Sequence, residues 1–220
     1  MSDELVAIGG DLDPETLIAG YRRGLFPMPV TDARGRSVLG WWSPALRGIL
    51  LPDAFHASRS LHRSARRFTV SVDAAFDDVV AGCADPSRPH GWIDAGIAAA
   101  YGRLANLGVA HSIEVWDHDG ALVGGLYGVG IGGLFAAESK FHRRTDASKV
   151  AVGQLCAVLR GARGNRLIDV QWRTPHLASL GVVAVSRADY ASRLPAVLGQ
   201  TDVEWDRLGR SGRTIPALDD

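Results

Sequence analysis

Apolar residues along this chain change their spacing repeatedly, and each spacing predicts an element. Leu17, Ile18 and Tyr21 form the stripe of a short helix. Asp13, Pro14 and Glu15 open it, with Asp as cap and Pro in the first turn, and Gly24 is placed to end it. Leu25 to Pro29 then breaks regular structure, residues 30–37 read as loop, and Val38 to Trp42 as an apolar, extended run. Ser43 and Pro44 mark a turn. They set the expected boundary between a small N-terminal domain, 1–45, and a larger one, 46–220.

Beyond that turn, strand and helix patterns alternate. Arg47–Leu51 reads as a strand, His56–Arg67 as a basic helix and Phe68–Val72 as a strand. Ala74–Cys83 is a helix with Phe76, Val79, Val80 and Cys83 on one side. Asp94 caps a helix carrying Ile97, Tyr101, Leu104 and Leu107, which Gly108 ends. Strands follow at His111–Trp116, Leu122–Val129 and Gly133–Ser139, the first two joined by a turn at Asp119 and Gly120. Asp146 is expected to cap a helix reaching Ala162. The order then runs strand Leu167–Trp172, short helix Pro175–Leu180, strand Val182–Val185, helix Ala188–Leu198 and an irregular polar tail. The pattern predicts an α/β fold on a mixed sheet, with meander strands in the middle and helical crossovers at the end.

Two of these strands carry polar residues where a covered sheet should be continuously apolar. Asp169 and Gln171 lie two residues apart, as do Glu138 and Lys140, so each pair is predicted to share a face. An unpartnered buried polar group costs roughly 1–3 kcal/mol and a charge costs more. Such residues therefore belong to a satisfied structural pair or to a site.

Composition narrows the choice. The chain has 220 residues, 46% hydrophobic and 22% charged, enough for a packed core. Lys plus Arg and Asp plus Glu are both 24, so there is no global basic field and any nucleic-acid contact must be local. Arg59, Arg63, Arg66 and Arg67 supply one local patch. It reads either as a solvated helix face or as a phosphate-backbone contact, which Arg suits through bidentate pairing. Trp41, Trp42 and Trp92 read as core packing or as a platform for a base. The glycines from Gly128 to Gly133 fit a dinucleotide-loop pattern but lie between two strands, so they read as a hairpin. His111, His142 and His176 have no metal-ligand spacing, and no metal is expected. Cys83 and Cys156 sit in apolar helical segments as buried thiols, which with the acidic start and the lack of a spanning apolar run predicts a cytoplasmic protein without membrane anchor.

Taken together, several blocks resemble the leucyl/phenylalanyl-tRNA–protein transferase family. They are Gly9–Leu12, Gly24–Pro27, Trp41–Pro44, His111–Trp116, Leu122–Val129, Phe135–Phe141, Ala147–Lys149, Leu167–Gln171 and His176–Gly181, in family order. The resemblance implies that the larger domain is acetyltransferase-like (GNAT-like). It implies a monomeric enzyme that moves Leu, Phe or Met from aminoacyl-tRNA to an N-terminal Arg or Lys of a protein, feeding N-degron degradation. On that pattern Asp169 and Gln171 are the catalytic pair and Glu138 lines the same site. Leu126, Lys140, Val152 and Leu155 line the amino-acid pocket, and Arg59, Arg63, Arg66 and Arg67 hold the tRNA. Lys140 stands where members usually carry Met, and the chain lacks most of the N-terminal lead of longer members.

An aminoacyl ester is already activated, so such a reaction needs no ATP, CoA or metal, and no cofactor is expected. Gln171 would accept a hydrogen bond from the amine, and Asp169 would polarise Gln171 or stabilise the ammonium. Glu138 is a second candidate for holding the cationic N-terminal residue. A substrate-assisted relay through the terminal 2′-hydroxyl of the tRNA is the alternative route. Two other classes compete. A CoA-dependent N-acetyltransferase would carry a pyrophosphate loop, but the helix after Asp146 opens Ala147, Ser148, Lys149. A non-catalytic RNA-binding module would leave Asp169 and Gln171 idle.

Overall fold

The computed structural model describes residues 4–87, 91–205 and 215–216. Two sheets organise the chain. The first is small and antiparallel, with β1 (Leu5–Ile8), β2 (Phe26–Thr31) and β3 (Ser37–Trp42) in the order β1-β3-β2, and helix α1 (Pro14–Arg22) between the first two. The segment expected to be irregular, Leu25 to Pro29, is therefore mostly strand. Pro27 and Pro29 fit because β2 is an edge, and residues two apart both turn their missing N–H away from the partner.

The second sheet runs β10-β4-β9-β8-β7-β6-β5-β11. Its strands are β4 (Leu46–Leu50), β5 (Thr69–Val72), β6 (Ala110–Trp116), β7 (Leu122–Ile131), β8 (Leu134–His142), β9 (Leu167–Gln171), β10 (Val183–Ser186) and β11 (Ile215–Pro216). The Gly-rich run is the β7–β8 hairpin, with Gly132 at φ 58° in its turn. The polar tail is not wholly irregular: β11 pairs with the edge strand β5, and Trp205 is buried and stacked on His111.

Helices cover both faces of this sheet. On one face α2 (Arg59–Ala65), α5 (Ala147–Gly161) and α6 (Pro175–Ala178) enclose a core that includes Leu61, Val115, Leu126, Phe135, Val152 and Leu155. On the other, α1, α3 (Phe76–Cys83) and α4 (Ala95–Asn106) enclose Tyr21, Val79, Tyr101, Tyr127 and Ala136. Helix α7 (Arg187–Leu198) extends that second face over Ile49, Leu134 and Leu167. Cys83 and Cys156 are both buried, and burial pushes the Cys156 thiol up to about 12. No helix among the described residues is long and apolar enough to cross a membrane.

Two expected caps differ. Asp94 accepts from the Ile97 amide, as its position predicts. Asp146 sits in the left-handed region at φ 71° and gives its carboxylate to Lys149 instead of the helix end. Asp13 also makes no side-chain cap, and its own amide donates to Asp11. The basic helix is shorter than its charge pattern suggests, because Ser58 caps it by accepting from the Leu61 amide.

β8 and β9 form the one parallel pair among the described strands. They pair only from Leu134–Ala136 to Leu167–Asp169, although β8 continues to His142. Past that point the strands part and leave a notch. β8 also carries a bulge: Tyr127 pairs with Ser139 but Gly128 with Ala137, leaving Glu138 as the extra residue. The bulge reverses the face alternation. Glu138 turns to the α4 face, whereas Lys140, opposite Leu126, turns to the α5 face. The expected shared face of Glu138 and Lys140 is therefore absent.

Behind the notch the chain leaves β9 in a tight turn that crosses Gly48. A Cβ there would lie 2.8 Å from the Arg173 amide nitrogen and 2.9 Å from the Trp172 carbonyl carbon. Overpacking of this kind costs typically 1–3 kcal/mol. Gly48→Ala is expected to lower the stability by about that amount, measured as a shift in the denaturant midpoint at unchanged slope. An unchanged midpoint would mean that the turn yields freely.

Candidate active site

The notch gathers residues from both sheets. A narrow cleft there is lined by Phe26, Pro27, Met28, Trp92, Glu138, Gln171 and Trp172. Crevices beyond the carboxyl ends of strands are common ligand sites in α/β sheets. Here the middle of β8 and the carboxyl end of β9 place a carboxylate and an amide on its floor, and β2 and two tryptophans form its walls.

Asp169 lies beneath the floor, fully buried. Its carboxylate accepts four hydrogen bonds. Arg47 donates two, from Nε to Oδ1 at 2.8 Å and from Nη2 to Oδ2 at 2.5 Å. Tyr190 of α7 donates at 2.8 Å, and the Gln171 backbone N–H donates to Oδ1 at 2.9 Å. The guanidinium is itself 99% hidden and lies between the Phe26 and Tyr190 rings, 4.9 and 4.6 Å from their centroids. Its Nη1 donates to the Gly24 carbonyl at 3.0 Å. Burial opposes the charge on Arg47, but the Asp169 carboxylate outweighs it and holds the guanidinium above its ordinary value. Asp169 thus has neither an idle lone pair nor an uncompensated charge.

Gln171 follows two residues on, past a register irregularity opposite Gly48 and Ile49 that breaks the simple face alternation expected of the pair, and its backbone φ is 57°. A side chain in this left-handed region costs roughly 1–2 kcal/mol. The surroundings fix its amide: Nε2 donates to the carbonyls of Val170 and Ala137 at 3.1 and 3.0 Å. Oε1 is left as the group that Gln171 offers the cleft.

Glu138 faces the cleft from the bulge. Its Oε2 accepts from Tyr101 Oη at 2.6 Å, and Tyr101 Oη lies 2.5 Å from Tyr21 Oη. Its Oε1 is buried with no hydrogen-bond donor among the described residues. Burial pushes the Glu138 carboxyl up to about 7, against the pull of the Tyr101 and Tyr21 hydroxyls. Both tyrosines are held well above their ordinary value, first by burial and then by the Glu138 charge (for Tyr101 together with the Tyr21 hydroxyl).

The other residues singled out by sequence divide into groups. Trp92 lines the cleft. Trp41 is buried against Gly20 and donates to the Gly9 carbonyl, and Trp42 donates to the Met28 carbonyl, so both are packing residues of the small sheet. Leu126, Val152 and Leu155 belong to the α5-side core, on the same sheet face as Lys140. Arg59, Arg63, Arg66 and Arg67 are exposed on and just after α2, with Leu61 and Ala65 turned inward. Arg67 shares a surface cavity with Arg143 and Arg144.

Sequence reasoning passed over Arg47, Tyr21, Tyr101, Tyr190 and Trp172. Arg47 carried a signal: a cation inside the apolar run Leu46–Leu50 needs a buried anion, by the rule that singled out Asp169. The tyrosines carried none, since each also fits an ordinary helix stripe.

Comparison with known proteins places the chain in a family. The family model described as leucyl/phenylalanyl-tRNA protein transferase matches residues 49–195, and that for its N-terminal domain matches 10–45. The leucyl/phenylalanyl-tRNA–protein transferase of Aromatoleum aromaticum is 49% identical over 196 residues, covering 87% of this chain and 80% of that protein. The one from Anaeromyxobacter dehalogenans is 48% identical, covering 90% and 84%, and that from Salmonella heidelberg 46%, covering 89% and 82%. A solved structure of a conserved protein of unknown function from Staphylococcus epidermidis aligns at 12% identity and a TM-score of 0.43, covering 83% of this chain and 68% of that one; this is too slight a likeness to bear on fold or function. With two family models together spanning most of its length, and relatives near half identical, the chain belongs to the leucyl/phenylalanyl-tRNA–protein transferase family.

Proposed function

We propose that this chain transfers Leu, Phe or Met from aminoacyl-tRNA to the N-terminal Arg or Lys of a protein, as a cytoplasmic monomer whose products enter N-degron degradation. The observation that carries this reading is the cleft floor. Gln171 Oε1 and Glu138 Oε1 are two acceptors at the point where β8 and β9 part, the second with no hydrogen-bond donor among the described residues. Two such acceptors suit an amine and a cationic residue. No nucleophilic side chain is needed, because the ester is activated and the amine attacks directly.

In this mechanism Gln171 accepts a hydrogen bond from the attacking amine and aims its lone pair at the ester carbonyl. Holding both reactants at attack distance is worth roughly 7–11 kcal/mol. As the N–C bond forms, nitrogen becomes cationic and gives its proton to Glu138. The C–O bond to the terminal ribose then breaks, and the ribose oxygen recovers a proton. A carboxyl near 7 suits this exchange, since an N-terminal amine titrates near 8. Asp169 holds the Gln171 backbone instead of taking the proton. The donor side chain is assigned to the α5 side, the face opposite Glu138, beside Leu126, Val152, Leu155 and the aliphatic stem of Lys140. Trp92 is assigned to the terminal adenosine and the α2 arginines to the acceptor arm. The acetyltransferase-like ancestry of the larger domain belongs to this proposal too.

The test is direct: incubation with charged tRNA and a peptide beginning with Arg, read by mass spectrometry. Addition of one leucyl or phenylalanyl residue is expected. Acetyl transfer from acetyl-CoA, or RNA binding without transfer, would favour the competing classes.

Two further results follow from the charges. Below pH 7 both Glu138 and the acceptor amine must lose a proton, so log kcat/KM is expected to rise with a slope of two and to fall to one in Glu138→Gln. The sign for stability is opposite. The folded carboxyl keeps its proton to about 7 and an unfolded one to its ordinary 4.5. Its contribution favours the fold fully below 4.5 and is lost as pH rises through 7. Glu138→Gln should therefore melt higher than wild type at pH 8, with the gain vanishing toward pH 4. A slope of one in wild type, or a pH-independent melting difference, would remove Glu138 from this role.

The tRNA contact should be steeply salt-dependent despite the neutral chain. Each phosphate neutralised contributes about 0.7–0.9 to the slope of log K against log salt. Replacing Arg63, Arg66 and Arg67 by Gln is expected to flatten that slope by about two to three. An unchanged slope would move the RNA surface elsewhere.

A further inference from the structure

We infer that Arg47 is a positioning residue of the transfer reaction, acting through Asp169 on the backbone of Gln171. The inference rests on the proposed reaction and concerns a residue outside the cleft lining. Three observations carry it.

First, the guanidinium makes its fork on Asp169 and nowhere else on β9. Second, the oxygen that Arg47 Nε holds, Oδ1, is the one that accepts the Gln171 backbone N–H. The carboxylate is a strut with a cation at one end and the Gln171 peptide at the other. Third, that peptide is in the left-handed region, where a side chain stays only if its surroundings hold it. Without the strut, Gln171 would relax toward ordinary extended backbone and swing its amide out of the notch.

The fork is itself fixed from three sides. Phe26 and Tyr190 stack on the guanidinium, and the Gly24 carbonyl accepts from Nη1. Tyr190 also donates to Oδ2. The rotation of the carboxylate is thereby set by α7 and by the turn between α1 and β2. A Lys at position 47 would keep the charge and lose the fork, and so would not reproduce this geometry.

A purely structural Arg47 and a positioning one differ in what they do to kinetics. Displacement of a reacting group by about 1 Å costs on the order of 10²-fold in rate. Arg47→Ala is therefore expected to lower kcat by about 10²-fold while KM for aminoacyl-tRNA and for the Arg peptide each stay within about threefold. Guanidinium chloride at non-denaturing concentration should restore part of kcat, because it refills the fork. Methylammonium chloride at equal concentration should not, and Arg47→Lys should remain impaired. A kcat within about threefold of wild type, a loss confined to KM, or equal recovery with methylammonium would overturn the inference. Should Arg47→Ala fail to fold, Tyr190→Phe decides, since it removes one donor from the same carboxylate and leaves the ring. A kcat lowered about tenfold at unchanged KM supports the strut, and a wild-type kcat overturns it. A wild-type protein that transfers nothing would instead sink the proposed reaction itself.

Discussion

One buried ion pair ties together parts of the chain that are far apart in sequence. Arg47 begins the large sheet, Asp169 lies in its middle, Gly24 belongs to the small N-terminal unit and Tyr190 to the last helix. A buried pair of this kind is weak evidence for stability, because desolvation offsets much of its attraction. Its value is directional. Four donors converge on one carboxylate, so its orientation is set by three separate elements, and the peptide of Gln171 inherits that orientation. Breaking the pair by removing one partner would leave a bare buried charge, typically at a cost of about 3–5 kcal/mol.

The second constraint is the parting of β8 and β9. A parallel pair reached through a helical crossover sets the middle of β8 beside the carboxyl end of β9, and their pairing stops just before the bulge at Glu138. The notch that results is bordered by different chemistry on the two faces. The α4 side carries Glu138 with its two tyrosines, and the α5 side carries aliphatic packing with Lys140. On the proposed reading this division separates a cationic acceptor from an apolar donor, with the reacting atoms meeting in the gap.

Much of this was legible in the sequence, and the failures have physical causes. The alternation of strand and helix patterns gave the mixed sheet, and Asp169 and Gln171 were marked by their polarity within an apolar strand. β2 was hidden because Pro27 and Pro29 argue against a strand, and only its place at an edge admits them. β11 was hidden because two residues cannot carry a period. The bulge was hidden for a deeper reason. Alternation assumes an unbroken ladder, and the extra residue that moves Glu138 and Lys140 to opposite faces is decided by the partner strand. The clustering of Tyr21, Tyr101 and Glu138 likewise joins three elements that no local pattern connects.

The account stands on Gln171 as the group that aims the amine. Single-turnover transfer from saturating charged tRNA to an Arg peptide tests this most directly, with Gln171→Ala compared to wild type. The account requires a rate lowered about 10²-fold with the affinity for charged tRNA unchanged. A wild-type rate in Gln171→Ala would contradict it.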